Sequence, residues 1–244
     1  PTRRSSDLAL VVVFPSAAPL ADEIVAACPT DMVQLDATTC IDPFEAYLEE
    51  LDESGAVTGT HPHNELVGKK RVRAANERGA TPQGYISQVE AAGACAEAQK
   101  RLCTDKEWLS ACQGAPATRY PYGARRRAGY CNDDGTEALA AVFPGRRNEW
   151  NKLMNDPRLD RVAGTVARAG VYQRCTSGNG VHDLVGNLHE WTADPAGTMR
   201  GGFFLDTTKL NEGCEYDANA HDTLYRDYST GFRCCRDAAS GAAR

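Results

Sequence analysis

Apolar positions along this chain come in short runs broken by polar turn formers, and two places carry a clear helix-start signal. At Ser87-Gln88-Val89-Glu90 and Thr104-Asp105-Lys106-Glu107 a hydroxyl residue precedes a glutamate by three positions. In that arrangement the two side chains reciprocally bind backbone N–H groups left free at a helix start. The spacing predicts helices over about 87–99 and 104–113, the second stopped by Gly114-Ala115-Pro116. Thr39-Cys40-Ile41-Asp42-Pro43-Phe44-Glu45 reads as a strand entering a turn, and His61-Pro62-His63-Asn64 as exposed loop. From Tyr120 to Ser177 periodicity is weak and turn formers are frequent, which predicts loops with one short helix inside Arg146–Leu159. Residues 188–193, 198–204 and 230–236 read as short strands of an antiparallel sheet.

The longest apolar run, Leu8 to Val13 and on through Ala17, is too short to span a bilayer as a helix. It reads as the apolar region of an export signal, ending in small residues around Ser16–Ala21. Pro1-Thr2-Arg3-Arg4-Ser5-Ser6-Asp7-Leu8 resembles a translated adapter tail; the alternative is a genuine basic leader carried by Arg3 and Arg4. The expected organisation is therefore adapter plus truncated signal peptide over 1–21, one domain over 22–238 and a tail over 239–244.

A chain of 244 residues can bury one substantial core. Its net charge of -6, with no basic run longer than Arg125-Arg126-Arg127, argues against a nucleic-acid partner. Ten cysteines, Cys28, Cys40, Cys95, Cys103, Cys112, Cys131, Cys175, Cys214, Cys234 and Cys235, include no CxxC pair. An even number without metal-type spacing predicts a disulfide framework formed in an oxidising compartment, so the protein is expected to be exported: periplasmic, cell-surface or secreted. If Cys234 and Cys235 lie on one extended strand they face opposite sides and need different partners.

Four motifs in order carry a resemblance. They are Lys100-Arg101-Leu102-Cys103-Thr104-Asp105-Lys106-Glu107-Trp108, Gly180-Val181-His182-Asp183-Leu184-Val185-Gly186-Asn187-Leu188-His189-Glu190-Trp191, Arg200-Gly201-Gly202, and Gly231-Phe232-Arg233-Cys234. Over roughly residues 80–237 the chain resembles the sulfatase-modifying-factor superfamily, whose founding member is the formylglycine-generating enzyme. The resemblance implies an α+β fold of C-type-lectin-like, sulfatase-modifying-factor type, irregular, loop-rich and disulfide-bonded. It implies the bridges Cys95–Cys234 and Cys112–Cys214. With those two carried across, Cys103–Cys235 is the economical third pair, and Cys28–Cys40 and Cys131–Cys175 remain. Loops of more than a hundred residues closed this way stabilise by about 4–5 kcal/mol each in the chain-entropy model.

The resemblance also implies metal sites. Calcium-binding relatives use the positions of Asp183, Gly186, Leu188 and Glu190, two carboxylates and two backbone carbonyls, which suits a hard cation. The alternative reading makes Asp183 a turn cap, Asn187 a left-handed position and Glu190 a member of a surface pair. A second calcium site would use Asn132 and the carbonyl of Asp133. The formylglycine-generating enzyme binds copper(I) through two cysteines after Arg-Gly-Gly; here those positions are Asp206 and Asn211, which offer no thiolate for a soft ion. The resemblance therefore does not extend to copper. A histidine-rich iron set is likewise incomplete among His61, His63, His182, His189 and His221.

What remains is a polar and aromatic stretch holding Asp206, Tyr216, His221, Asp222, Tyr225 and Arg226, where the family places its peptide-binding groove. The expected function is an exported, non-catalytic, calcium-stabilised binding or surface module for a peptide, glycan or protein ligand. The alternative is an oxygen-dependent oxidoreductase, of formylglycine-generating or non-haem iron type, acting on a peptide or small thiol. No transmembrane span is expected.

Overall fold

The computed structural model describes residues 28–239, so the expected export signal and the end of the tail lie outside the described residues. In chain order the elements are β1 (Val33–Gln34), β2 (Thr39–Ile41), β3 (Tyr47–Leu51), β4 (Val57–Thr60), β5 (Val72–Ala75), α1 (Gln88–Glu97), β6 (Arg101–Leu102) and α2 (Asp105–Gln113). They continue with α3 (Ala138–Val142), α4 (Trp150–Leu153), β7 (His189–Trp191), β8 (Met199–Arg200), β9 (Asp217–Ala218), β10 (Thr230–Phe232) and β11 (Cys234–Asp237).

Both helices begin at the predicted caps. Ser87 Oγ accepts from Glu90 N at 3.3 Å while Glu90 Oε2 accepts from Ser87 N at 2.9 Å. Thr104 and Glu107 repeat the exchange at 3.3 and 2.8 Å. Gly114, at φ 62°, closes α2 in a conformation that a side chain would disfavour. The face of α1 that turns inward is Ala91, Ala94 and Cys95, small enough to let the helix lie close against Trp191 and Phe232. Burying a side chain such as Phe232 contributes about 1.5–3 kcal/mol. The helix expected within Arg146–Leu159 is divided into a 3₁₀ turn at Arg147–Glu149, α4, and a 3₁₀ turn at Leu159–Arg161.

Among the described residues three small sheets form, in the orders β1-β2-β11-β6, β10-β7-β8-β9 and β4-β3-β5. Two expectations are corrected here. The 230–236 strand is not continuous: it breaks at Arg233, with β10 in one sheet and β11 in another. The sheet is also not purely antiparallel, since β10 runs parallel to β7 with Gly231 opposite Glu190. The physical reason for the break is Arg233 itself, whose side chain is fully buried against Glu190 while Cys234 and Cys235 reach separate bridges. A third correction concerns the 61–64 segment. His61 and Asn64 are buried, not exposed, because His61 Nδ1 meets Glu50 Oε1 at 2.9 Å and Asn64 Nδ2 donates to Pro157 O at 2.7 Å.

Five disulfides bind the loops: Cys28–Cys40, Cys95–Cys234, Cys103–Cys235, Cys112–Cys214 and Cys131–Cys175. Cys95–Cys234 and Cys112–Cys214 are the pairs that the resemblance implies, the other three are those left by economy and elimination, and together they take up all ten cysteines. No helix among the described residues is long and apolar enough to cross a membrane.

Candidate functional site

The Gly180–Trp191 motif folds as a tight turn feeding β7. Asp183 and Asn187 both hold left-handed backbone, at φ 58° and 61°, tolerable for short polar side chains. Gly186, at φ 80°, packs so closely that an added Cβ would lie 2.1 Å from Asn132 O. The 132–133 segment and the 186–187 turn are thus one unit. Asn187 joins it together: its N donates to Asn132 O, its Oδ1 accepts from Asn132 Nδ2 and Ala167 N at 2.8 Å each, and its Nδ2 donates to Glu45 Oε2 at 2.5 Å.

Glu190 sits beneath this turn. Arg233 Nε and Nη2 donate to its two oxygens at 2.6 and 2.5 Å, and Trp108 Nε1 adds a third bond at 2.7 Å. The same guanidinium donates to Asp42 O and His182 O. Asp183 accepts from Gly170 N at 2.6 Å. Burial pushes the Asp183 carboxyl up to about 6 despite that bond. Glu45 is pushed well above the carboxylate range by burial and then by the negative charges of Asp183 and Glu190. Three buried acids therefore share one guanidinium.

This arrangement tests the expected calcium set. Glu190 does not fit the role of a free ligand, because both its oxygens are held by a side chain that already supplies the positive charge. Asp183, whose Oδ2 accepts from Gly170 N, and the carbonyls of Gly186 and Leu188 are the members of the expected set that remain. At the second expected site Asn132 Nδ2 donates to Thr165 O at 2.9 Å, and the Asp133 side chain is held by Arg126 at 2.6 Å. Sequence reasoning missed Glu45 and the role of Arg233. The first is a lone acid in a strand-and-turn segment, and the second lay inside a motif without an assigned partner.

The positions corresponding to the copper pair differ in kind. Asp206 is buried, with Oδ1 accepting from Thr208 N and Lys209 N at 3.1 Å each. Gly202, at φ 72°, permits this, since an added Cβ would meet Asp206 O at 2.2 Å. Asn211 is exposed and donates to Asp217 Oδ1 at 3.1 Å. Cys214 is bonded to Cys112.

Around Asp206 the structure gathers Tyr216, His189, Ser229 and Asp227. Tyr216 Oη lies 3.4 Å from both Asp206 Oδ2 and His189 Nε2; His189 Nδ1 lies 3.1 Å from Ser229 Oγ, which donates to Asp227 Oδ1 at 2.7 Å. Burial lowers His189 to about 4 and raises the Tyr216 phenol, so both are neutral at pH 7. The ring of Phe203 lies 4.9 Å from that of His189 and 6.0 Å from that of Tyr228.

The other expected groove residues divide. His221 packs against Tyr225 with the rings tilted and their centroids 4.6 Å apart, and Asp222 is exposed. Tyr225 Oη donates to Asp227 Oδ2 at 2.5 Å, and Arg226 is paired with Glu90 on α1. Those two are already engaged within the fold. The histidines are dispersed: His61 meets Glu50, and His182 meets Thr176 and Arg78 and stacks on Phe44.

A family model described as "Sulfatase-modifying factor enzyme 1-like domain" matches residues 36–238. The chain belongs to that family. Among solved structures, PvdO from Pseudomonas aeruginosa is similar over 82% of this chain and 94% of its own, with 11% identity and a TM-score of 0.48. The Major Tropism Determinant I1 variant is similar over 87% of this chain, with 15% identity and a TM-score of 0.50. The matched region spans about half of that protein, 54% of its length. No curated protein matches the chain significantly. The fold of this family member is α+β and C-type-lectin-like.

Proposed function

We propose that this family member is an exported, non-catalytic recognition module whose ligand surface lies around Asp206, Phe203, His221 and Asp222. The observation that carries the proposal is Asp206. A copper(I) oxidase needs paired soft thiolates after Arg200-Gly201-Gly202, and here a carboxylate occupies the first place and an exposed amide the second. Cys214, the nearest cysteine in sequence, is bonded to Cys112. Five disulfides support export, since such frameworks persist in oxidising compartments. A lectin-like fold presenting loops stapled to a rigid base suits recognition of a peptide, glycan or protein. A tropism determinant of like fold accords with this use.

Calcium belongs to the proposal through Asp183. A cation held there, with the carbonyls of Gly186 and Leu188, would favour the ionised form of Asp183 that burial disfavours. Selection from a displayed peptide library, followed by hydrogen-exchange mapping of the selected binder, tests the recognition surface. Protection confined to about residues 203–228 is the expected result. Protection elsewhere, or conversion of a cysteine peptide to an aldehyde, would contradict it.

A further inference from the structure

At the C-terminal end of α2 lies a cavity of about 520 Å³, within the roughly 300–1,000 Å³ of ordinary small-molecule sites. Two loops line it, 113–123 and 176–179, and neither holds a residue of the Asp206 surface or of the expected calcium sets. Each loop leaves a disulfide: Gln113 follows Cys112, bonded to Cys214, and Thr176 follows Cys175, bonded to Cys131. The walls are therefore fixed before any ligand arrives, which lowers the ordering cost of binding.

The lining is polar without being charged. Gln113, Thr118, Thr176, Ser177 and Asn179 bring amides and hydroxyls, and no acidic or basic side chain among the described residues lines the cavity. Pro116, Pro121 and Tyr122 add carbon surface. The Tyr122 ring is held in position, stacked on Tyr120 with centroids 5.6 Å apart while its Oη accepts from Arg127 N at 3.2 Å.

Ser177 is the unexplained member. It is 6% exposed, its N donates to Val181 O at 2.9 Å and its O accepts from Gly180 N at 3.0 Å, yet its Oγ has no partner among the described residues. A buried hydroxyl left unpaired costs about 1–3 kcal/mol. Rotation about χ1 to another staggered position breaks no bond, because Oγ makes none, so a ligand hydroxyl in the cavity can take it up. More capacity stands beside it. Asn179 spends one amide hydrogen on Leu35 O at 3.2 Å and keeps its Oδ1 and a second hydrogen, while Thr118 bonds only the backbone O of Gln113 and leaves that side-chain amide free.

We propose that this cavity binds an uncharged sugar ring. A pyranose carries hydroxyls on its edge, each donor and acceptor at once, and C–H groups on its faces, which matches amides and hydroxyls set beside Tyr122 and two prolines. The uncharged lining separates a neutral sugar from a uronate or an amine. The site lies outside residues 203–228, so its ligand is additional to whatever that surface takes.

Amide chemical-shift titration of the intact ¹⁵N-labelled protein tests this with four probes, the methyl glycosides of glucose, galactose, mannose and N-acetylglucosamine. Acetyl-decaproline is the competing chemistry, because an aromatic ring beside prolines also suits an extended proline-rich peptide. Saturable shifts at 113–123 and 176–179 with at least one glycoside, and none with decaproline, are the expected result. Ser177→Ala removes a hydroxyl that bonds nothing inside the fold, so the melting temperature should hold while affinity for that glycoside falls about fivefold. Gln113→Ala, which likewise removes no internal side-chain bond, should act in the same direction. No shift with any of the four glycosides, shifts with decaproline alone, or unchanged affinity in both variants would overturn the proposal.

Discussion

Arg233, in the break just after β10, reaches Glu190 on the neighbouring parallel strand β7 through two bonds of 2.6 and 2.5 Å in a region closed to solvent. A buried ion pair of this kind is weak evidence of net stability, yet losing one member leaves the other charged and stranded. Glu190→Gln or Arg233→Met should each destabilise by about 3–5 kcal/mol. Urea denaturation checks this; a loss under about 1 kcal/mol, the scale of an exposed pair, would contradict it.

Calcium at Asp183 makes a different expectation. An ion bound only by the folded state raises stability by mass action, so exhaustive chelation should lower the melting temperature and added calcium restore it. Asp183→Asn should abolish the response. An unchanged melting temperature after chelation would remove calcium from the account.

Asp160 gives a pH prediction. Its carboxyl is buried beside Gly84, both oxygens lack a hydrogen-bond partner among the described residues, and burial followed by the charge of Asp227 raises its pKa well above the usual range. A raised folded-state pKa contributes stability below the unfolded value, about 4, that is lost as pH rises through the folded value. Asp160→Asn should therefore lose less stability than the parent between about pH 4 and pH 7. Parallel melting curves across that range would contradict the assignment.

Much of this fold was legible because its signals are local or covalent. Hydroxyl–glutamate pairs at Ser87 and Thr104 act within three residues, and cysteine motifs carry their partners by resemblance. Arg233 was not legible in this way. Nothing in Gly231-Phe232-Arg233-Cys234 says that an arginine turns into the core, and that turn divides one expected strand into two and leaves Glu190 no free oxygen. The buried His61 and the Asp206–Tyr216–His189 grouping were hidden for the same reason: their partners come from distant segments with no periodic signature.

The bridges Cys95–Cys234 and Cys103–Cys235 close nearly the same loop, at separations of 139 and 132 residues. Either one already restricts the unfolded chain for the other. Replacing one pair by alanine should cost well under the roughly 4–5 kcal/mol of an isolated long-loop bridge, and replacing both should cost more than the sum of the two single losses. Additive losses in a denaturation cycle would contradict this coupling.

The central claim, recognition in place of oxidation, meets its most direct test in an oxygen electrode. Protein reconstituted with copper(I) and mixed with a cysteine-containing sulfatase-type peptide should consume no oxygen beyond the protein-free control, because Asp206 and Asn211 give copper(I) no thiolate pair. Peptide-dependent oxygen uptake that disappears on Asp206→Ala would contradict the account.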